Sequence, residues 1–113
     1  MIEMPKALAD LLAERRRQFA FALPERAAEV ESRWRSMGPA PWDPDDLRAV
    51  ETAAHGLAGT AALLGFDRFG ATARAVEHAL QELRASGAFP APDRVAAVDS
   101  ALRGMSSALA PDP

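Results

Sequence analysis

Cysteine is absent from this 113-residue chain, which removes disulfides, thiolate zinc sites and thiol nucleophiles from consideration. Tyrosine is absent too, histidine occurs only twice, and β-branched residues are sparse beside alanine, leucine and arginine. That balance disfavours strands and favours helices along the whole chain. No apolar stretch approaches the ~18–20 residues of a membrane span. The segment Met1 to Lys6 has neither the charged start nor the apolar centre of a secretory leader, so a cytoplasmic location is expected. Also missing are a Gly-x-Ser-x-Gly elbow, a phosphate-cradling loop and a cofactor fingerprint. Charge of one sign is not in large excess: the formal net charge is −3, which does not favour a nucleic-acid partner. The short basic run Arg15-Arg16-Arg17 suits a solvated helix face.

What is present is the balance of a globular protein, 49% hydrophobic and 26% charged, in a length that suits one compact unit over residues 1–113. Punctuation divides it. Pro5 can open a first helix, with Leu8, Leu12 and Phe19 on one face to about Leu23. Pro24 then kinks that helix or starts another, and Ala27, Val30, Trp34 and Met37 continue the stripe from Leu23. Gly38-Pro39-Ala40-Pro41-Trp42 is a breaker. Asp43 before Pro44 reads as an N-cap with proline at the first helical position, and Gly65 as the residue just past that helix's end. Asp67 can cap the next helix, with Phe69, Ala73, Val76, Leu80 and Leu83 as its stripe, ending near Gly87. Ala88 to Pro92 is a short loop. The last helix runs from about Asp93 to Leu109, carries Val95, Val98, Leu102, Met105 and Leu109, and is finished by Pro111 and Pro113. Amphipathic helices with short connections pack best as an antiparallel bundle. The expected fold is all-α, an antiparallel four-helix bundle with an extra or kinked N-terminal helix.

The helix over about 44–65 holds the most informative residue. Leu47, Val50, Ala54, Leu57, Ala61 and Leu64 form its apolar stripe. His55 falls roughly 160° around the helix from Leu57, at about 100° per residue, and should face water. Ala58, Gly59 and Ala62 follow it on its side. Glycine inside a helix costs about 1 kcal/mol relative to alanine, and this stretch holds both Gly56 and Gly59. A metal site would want more than Glu51 beside His55. A nucleophile toward phosphorus fits better: neutral imidazole is available near neutral pH, and phosphoryl transfer asks mainly for positioning and charge stabilisation. The donor must reach the ring, and Gly59 removes the side chain best placed to obstruct it.

The run His55-Gly56-Leu57-Ala58-Gly59, followed by Gly65 and Phe66, resembles the signature of histidine-containing phosphotransfer (HPt) domains, His-x-Leu-Lys-Gly with a further glycine six residues on. The likeness extends to Leu23-Pro24-Glu25-Arg26 and to the helix from Phe69 to Leu83, so it spans most of residues 20–85. It implies a four-helix bundle in which His55 accepts a phosphoryl group on Nε2 from an aspartyl phosphate of a receiver domain and passes it to another receiver. The partners implied are receiver domains of response regulators or hybrid kinases. No cofactor is implied on this chain; the Mg²⁺ needed for transfer belongs, by the same likeness, to the receiver's acidic pocket. The histidine is a phosphorylated intermediate, and no kinase activity is expected.

Carried over residue by residue, His55 is the phosphoacceptor, Gly59 the clearance glycine, Gly65 the helix terminator and Leu57 a packing residue. The motif's lysine is replaced by Ala58, as looks familiar among bacterial members. On the adjacent helix, Glu77 can accept the Nδ1 proton and fix the tautomer, and Arg74, Arg68 or Arg48 can replace the missing cation. Thr52, Ala58, Gly59 and Ala62 form a small-residue surface suited to docking a receiver's helix.

Blander roles fit the other conspicuous residues. His78 suits a solvated side chain, Trp34 and Trp42 core or cap positions, with Trp42 as a hydrophobic staple. Asp43, Asp45 and Asp46 suit the positive end of a helix dipole rather than a calcium loop. A monomer is expected, since no second apolar stripe is left over. The alternative function is a helical adaptor that binds a signalling partner through the same face without being phosphorylated, a possibility opened by Ala58.

Overall fold

A computed structural model of the chain describes residues 4–87 and 89–109. Ala88 of the expected loop, and the closing Pro111 and Pro113, lie outside the described residues. Four helices follow one another: α1 (Lys6–Ser36), α2 (Pro44–Leu63), α3 (Asp67–Ala85) and α4 (Pro92–Ser107), with no strand among the described residues. The stripes turn inward onto one core containing Leu23, Val30, Leu47, Leu57, Val76, Leu80, Leu83, Leu102 and Met105.

α1 is one helix, not two. Pro24 lies inside it, where proline removes a backbone donor and crowds the preceding turn, at a cost of about 3 kcal/mol. The stripe of Phe19, Leu23, Ala27, Val30 and Trp34 is buried on both sides of Pro24, and this continuous burial holds the segment helical. α1 also overhangs its neighbours. Thirty-one residues span about 46 Å against about 30 Å for the 20 residues of α2. The expected burial of Leu8 therefore fails: it is exposed, as is Leu11, and the first buried residue of α1 is Phe19.

Asp43 accepts a hydrogen bond from the Asp45 backbone N–H at 2.8 Å and caps α2, with Pro44 as the first helical residue. At the other end Gly65 adopts φ +84°, the left-handed conformation that side chains disfavour. Its N–H donates to the Ala62 carbonyl and that of Phe66 to Ala61, which satisfies the last carbonyls of α2 and reverses the chain. Phe66 then packs edge-on against Phe19, centroids 5.2 Å apart. Asp67 is not the cap of α3: Phe66 holds that position without a side-chain bond, and Asp67 is the first helical residue, still favourable to the dipole. α4 begins one residue before the expected Asp93, at Pro92.

Trp34 joins α1 to α4, its indole N–H donating to Asp99 Oδ1 at 2.9 Å. Trp42 packs on Trp34 and donates to the Gly38 carbonyl at 2.8 Å, closing the α1–α2 turn. Both tryptophans are thus committed to the bundle.

Candidate functional site

α2 and α3 run antiparallel, and their seam sets the site. On α3, Gly70, Glu77 and Arg84 are seven residues apart and so share one face. Each meets α2. A Cβ on Gly70 would lie 3.4 Å from Ala61 Cβ, 3.5 Å from the Ala58 carbonyl oxygen and 3.5 Å from the Ala62 nitrogen, so the backbones approach closely there. Glu77 Oε2 lies 2.5 Å from His55 Nδ1. Arg84 bonds both oxygens of Glu51, from Nε at 2.9 Å and from Nη2 at 3.3 Å. The hydrogen bond to Glu51, and then its charge, hold the Arg84 guanidinium above its ordinary pKa. Glu51 is thereby occupied as an ion-pair partner of α3.

His55 stands out from this seam, its side chain 71% exposed, whereas Glu77 beneath it is only 12% exposed. A carboxylate can only accept a hydrogen bond, so Nδ1 carries the hydrogen and Nε2 is left with its lone pair. An anchored carboxylate thus orients the ring and presents one nitrogen outward. Positive charge that develops on the ring when Nε2 forms a bond is stabilised through the contact at Nδ1.

Around the ring, Thr52, Gly59 and Ala62 are exposed. Ala58 is not. At 1% exposure it belongs to the core, with its carbonyl against Gly70, and it is no part of an outward docking surface. The physical reason is register: Ala58 lies between the apolar stripe and the His55 side, where α3 approaches closely. A Cβ on Gly59 would meet nothing within 4 Å, so nothing in the described protein requires a glycine there.

The three candidate cations sit differently. Arg48 lies two turns before His55 on the same helix, about 10 Å away along the axis. Arg68 is nine residues before Glu77, about 13 Å along α3. Arg74 is three residues before Glu77, and with His55 opposite Glu77 and Ala62 opposite Gly70 it stands level with Ala58 and Gly59. With Asp67 and His78 it borders a shallow depression of about 480 Å³ floored by Ala62, Gly70, Ala71 and Ala75. His78 is exposed with Nε2 3.2 Å from Glu82 Oε1, away from the His55 contact.

Sequence reasoning missed three features. The Glu51–Arg84 bridge and the contact at Gly70 both follow from the seven-residue spacing about Glu77, a signal present in the chain. A groove of about 400 Å³ between α1 and α2, bordered by Arg26, Glu29, Thr52, Gly56 and Thr60, has no such signal, because it depends on how far α1 stands from α2. Among the described residues no helix is long and apolar enough to cross a membrane.

No curated protein and no solved structure matches the chain. A family model does: the Hpt domain, over residues 4–110, which takes in all four helices and the His55–Glu77 pair. Hpt domains are helical bundles that serve as phosphotransfer intermediates of phosphorelays and interact with receiver domains, and this chain belongs to the Hpt family.

Proposed function

We propose that the protein is a cytoplasmic, monomeric relay in which His55 carries a phosphoryl group between the aspartates of receiver domains. The observation that carries this reading is the contact of 2.5 Å between His55 Nδ1 and the half-sunken Glu77, beside a ring that is otherwise exposed. The Nε2 lone pair attacks phosphorus of an aspartyl phosphate, the acyl P–O bond breaks, and the aspartate carboxylate leaves with the electron pair. The ring keeps its Nδ1 hydrogen, becomes cationic, and is stabilised by Glu77. The reverse sequence delivers the group to a second aspartate. Because the phosphohistidine ring is a cationic leaving group, the step can run in either direction.

Gly59 gives the donor clearance, and Thr52, Gly59 and Ala62 form the approach surface. The unbranched access favours a macromolecular donor whose own active site surrounds the phosphoryl group. Ala58, whose departure from the motif opened the adaptor alternative, has a packing reason in its burial against α3.

The test uses a panel of phosphorylated receiver domains from the same source. The protein should acquire an acid-labile, alkali-stable label, kept by His78→Gln and lost by His55→Gln. Absence of label across the panel would leave the adaptor.

A further inference from the structure

Phosphorylation at Nε2 places an anion above a seam whose nearest fixed charge, Glu77, is itself negative. Resting on the reading of His55 as phosphoacceptor, we propose that Arg74 binds the phosphoryl group on His55, reaching it across Gly59 from α3. Three observations lead there. The first is register: Arg74 stands level with Gly59, one helical turn from the Glu77 that holds the ring. Such a turn is about 5.4 Å, within the swing of an arginine side chain. The second is commitment. Arg84 is held by Glu51 and Arg94 by Glu82, whereas Arg74 makes no hydrogen bond or ion pair among the described residues. The third is room. Ala62, Gly70, Ala71 and Ala75 beside it are small and leave the side chain space to turn, with Asp67 and His78 completing the rim of the same depression.

The planar guanidinium presents paired N–H donors that match two phosphoryl oxygens, and its charge offsets that of Glu77. Arg74 makes and breaks no covalent bond. It favours the phosphorylated state over the free one, because only that state offers it an anion. A phosphate-holding residue on α3 also frees position 58 for the small side chain that the α2–α3 contact requires.

Phosphoramidate, a small phosphodonor, separates this inference from the question of partners. The His78→Gln chain is phosphorylated with it, and the ³¹P resonance of the phosphohistidine is followed against pH. Arg74→Gln should raise the midpoint of phosphoryl protonation by about one unit and Arg74→Lys should restore most of it, since a nearby cation favours the dianion. Arg48→Gln should leave the midpoint unmoved. A midpoint unchanged in Arg74→Gln, or moved instead by Arg48→Gln, overturns the role of Arg74 while leaving His55 as acceptor. No resonance from the unaltered His55 overturns both. A merely structural arginine would alter the circular dichroism melt and not the titration.

Discussion

Along its α3 side, α2 is closed: Ala58 and Ala61 lie against Gly70, His55 against Glu77, and Glu51 against Arg84. Along its α1 side the same helix stands off, and Thr52, Gly56 and Thr60 face Arg26 and Glu29 across an open groove. His55 sits between the two regimes. One side fixes the ring through a carboxylate anchored in a tight seam, and the other leaves the approach to Nε2 clear. Rigidity and access are thus divided between the flanks of a single helix. The glycines follow the same division: Gly70 is where backbones meet, while Gly56 and Gly59 have empty space beyond them.

Substitutions on the two sides should therefore differ in kind. The largest effect is expected at Gly70. Alanine there makes ordinary contacts at 3.4–3.5 Å and should be tolerated. Leucine must push α2 and α3 apart, at a cost of about 1–3 kcal/mol, read as a loss of several degrees in melting temperature. A Gly70→Leu protein as stable as the parent would mean that the seam is looser than described. Next comes Glu77→Gln, which keeps the shape and removes the charge. It should slow phosphoryl transfer about tenfold or more while moving the melting temperature little, because loss of a charge-assisted bond to the reacting ring is worth about 1.5–3 kcal/mol. Transfer at the parent rate would reduce Glu77 to a packing role.

On the open side, Gly59→Gln should stabilise the helix by up to about 1 kcal/mol yet slow transfer from a receiver severalfold, with labelling by phosphoramidate hardly changed. Equal slowing with both donors would place the obstruction at the ring itself, not at docking. The smallest effect belongs to Gly56→Ala: a gain of about 0.5–1 kcal/mol in chemical or thermal unfolding and unaltered labelling by phosphoramidate. A loss of stability there would mean that the groove is filled in solution.

Much of this arrangement is legible in the sequence because it depends on local rules. The N-cap at Asp43, the left-handed Gly65 and the apolar stripes of α2, α3 and α4 need no knowledge of neighbours. The outward placement of His55 follows from periodicity alone. Elsewhere the tertiary structure decides. Pro24 leaves a kinked helix and a new one both open, and burial of Leu23, Ala27 and Val30 around it carries one helix through. Ala58 reads as surface because the single-helix wheel cannot tell how closely α3 comes, and the glycine that lets α3 approach is twelve residues away. Leu8 fails in the opposite sense. Its stripe with Leu12 and Phe19 is amphipathic, yet α1 outruns the elements that would cover its start.

The most direct test of the central claim is ¹⁵N NMR of the His55 imidazole, before and after phosphorylation by a cognate receiver. The hydrogen should reside on Nδ1 in the free protein, with Nε2 unprotonated in the neutral ring, and phosphorus should couple to Nε2 in the modified one. In Glu77→Gln the preference for the Nδ1–H tautomer should weaken. An Nε2–H tautomer in the free protein, or phosphorus bound to Nδ1 or to His78, would contradict the account.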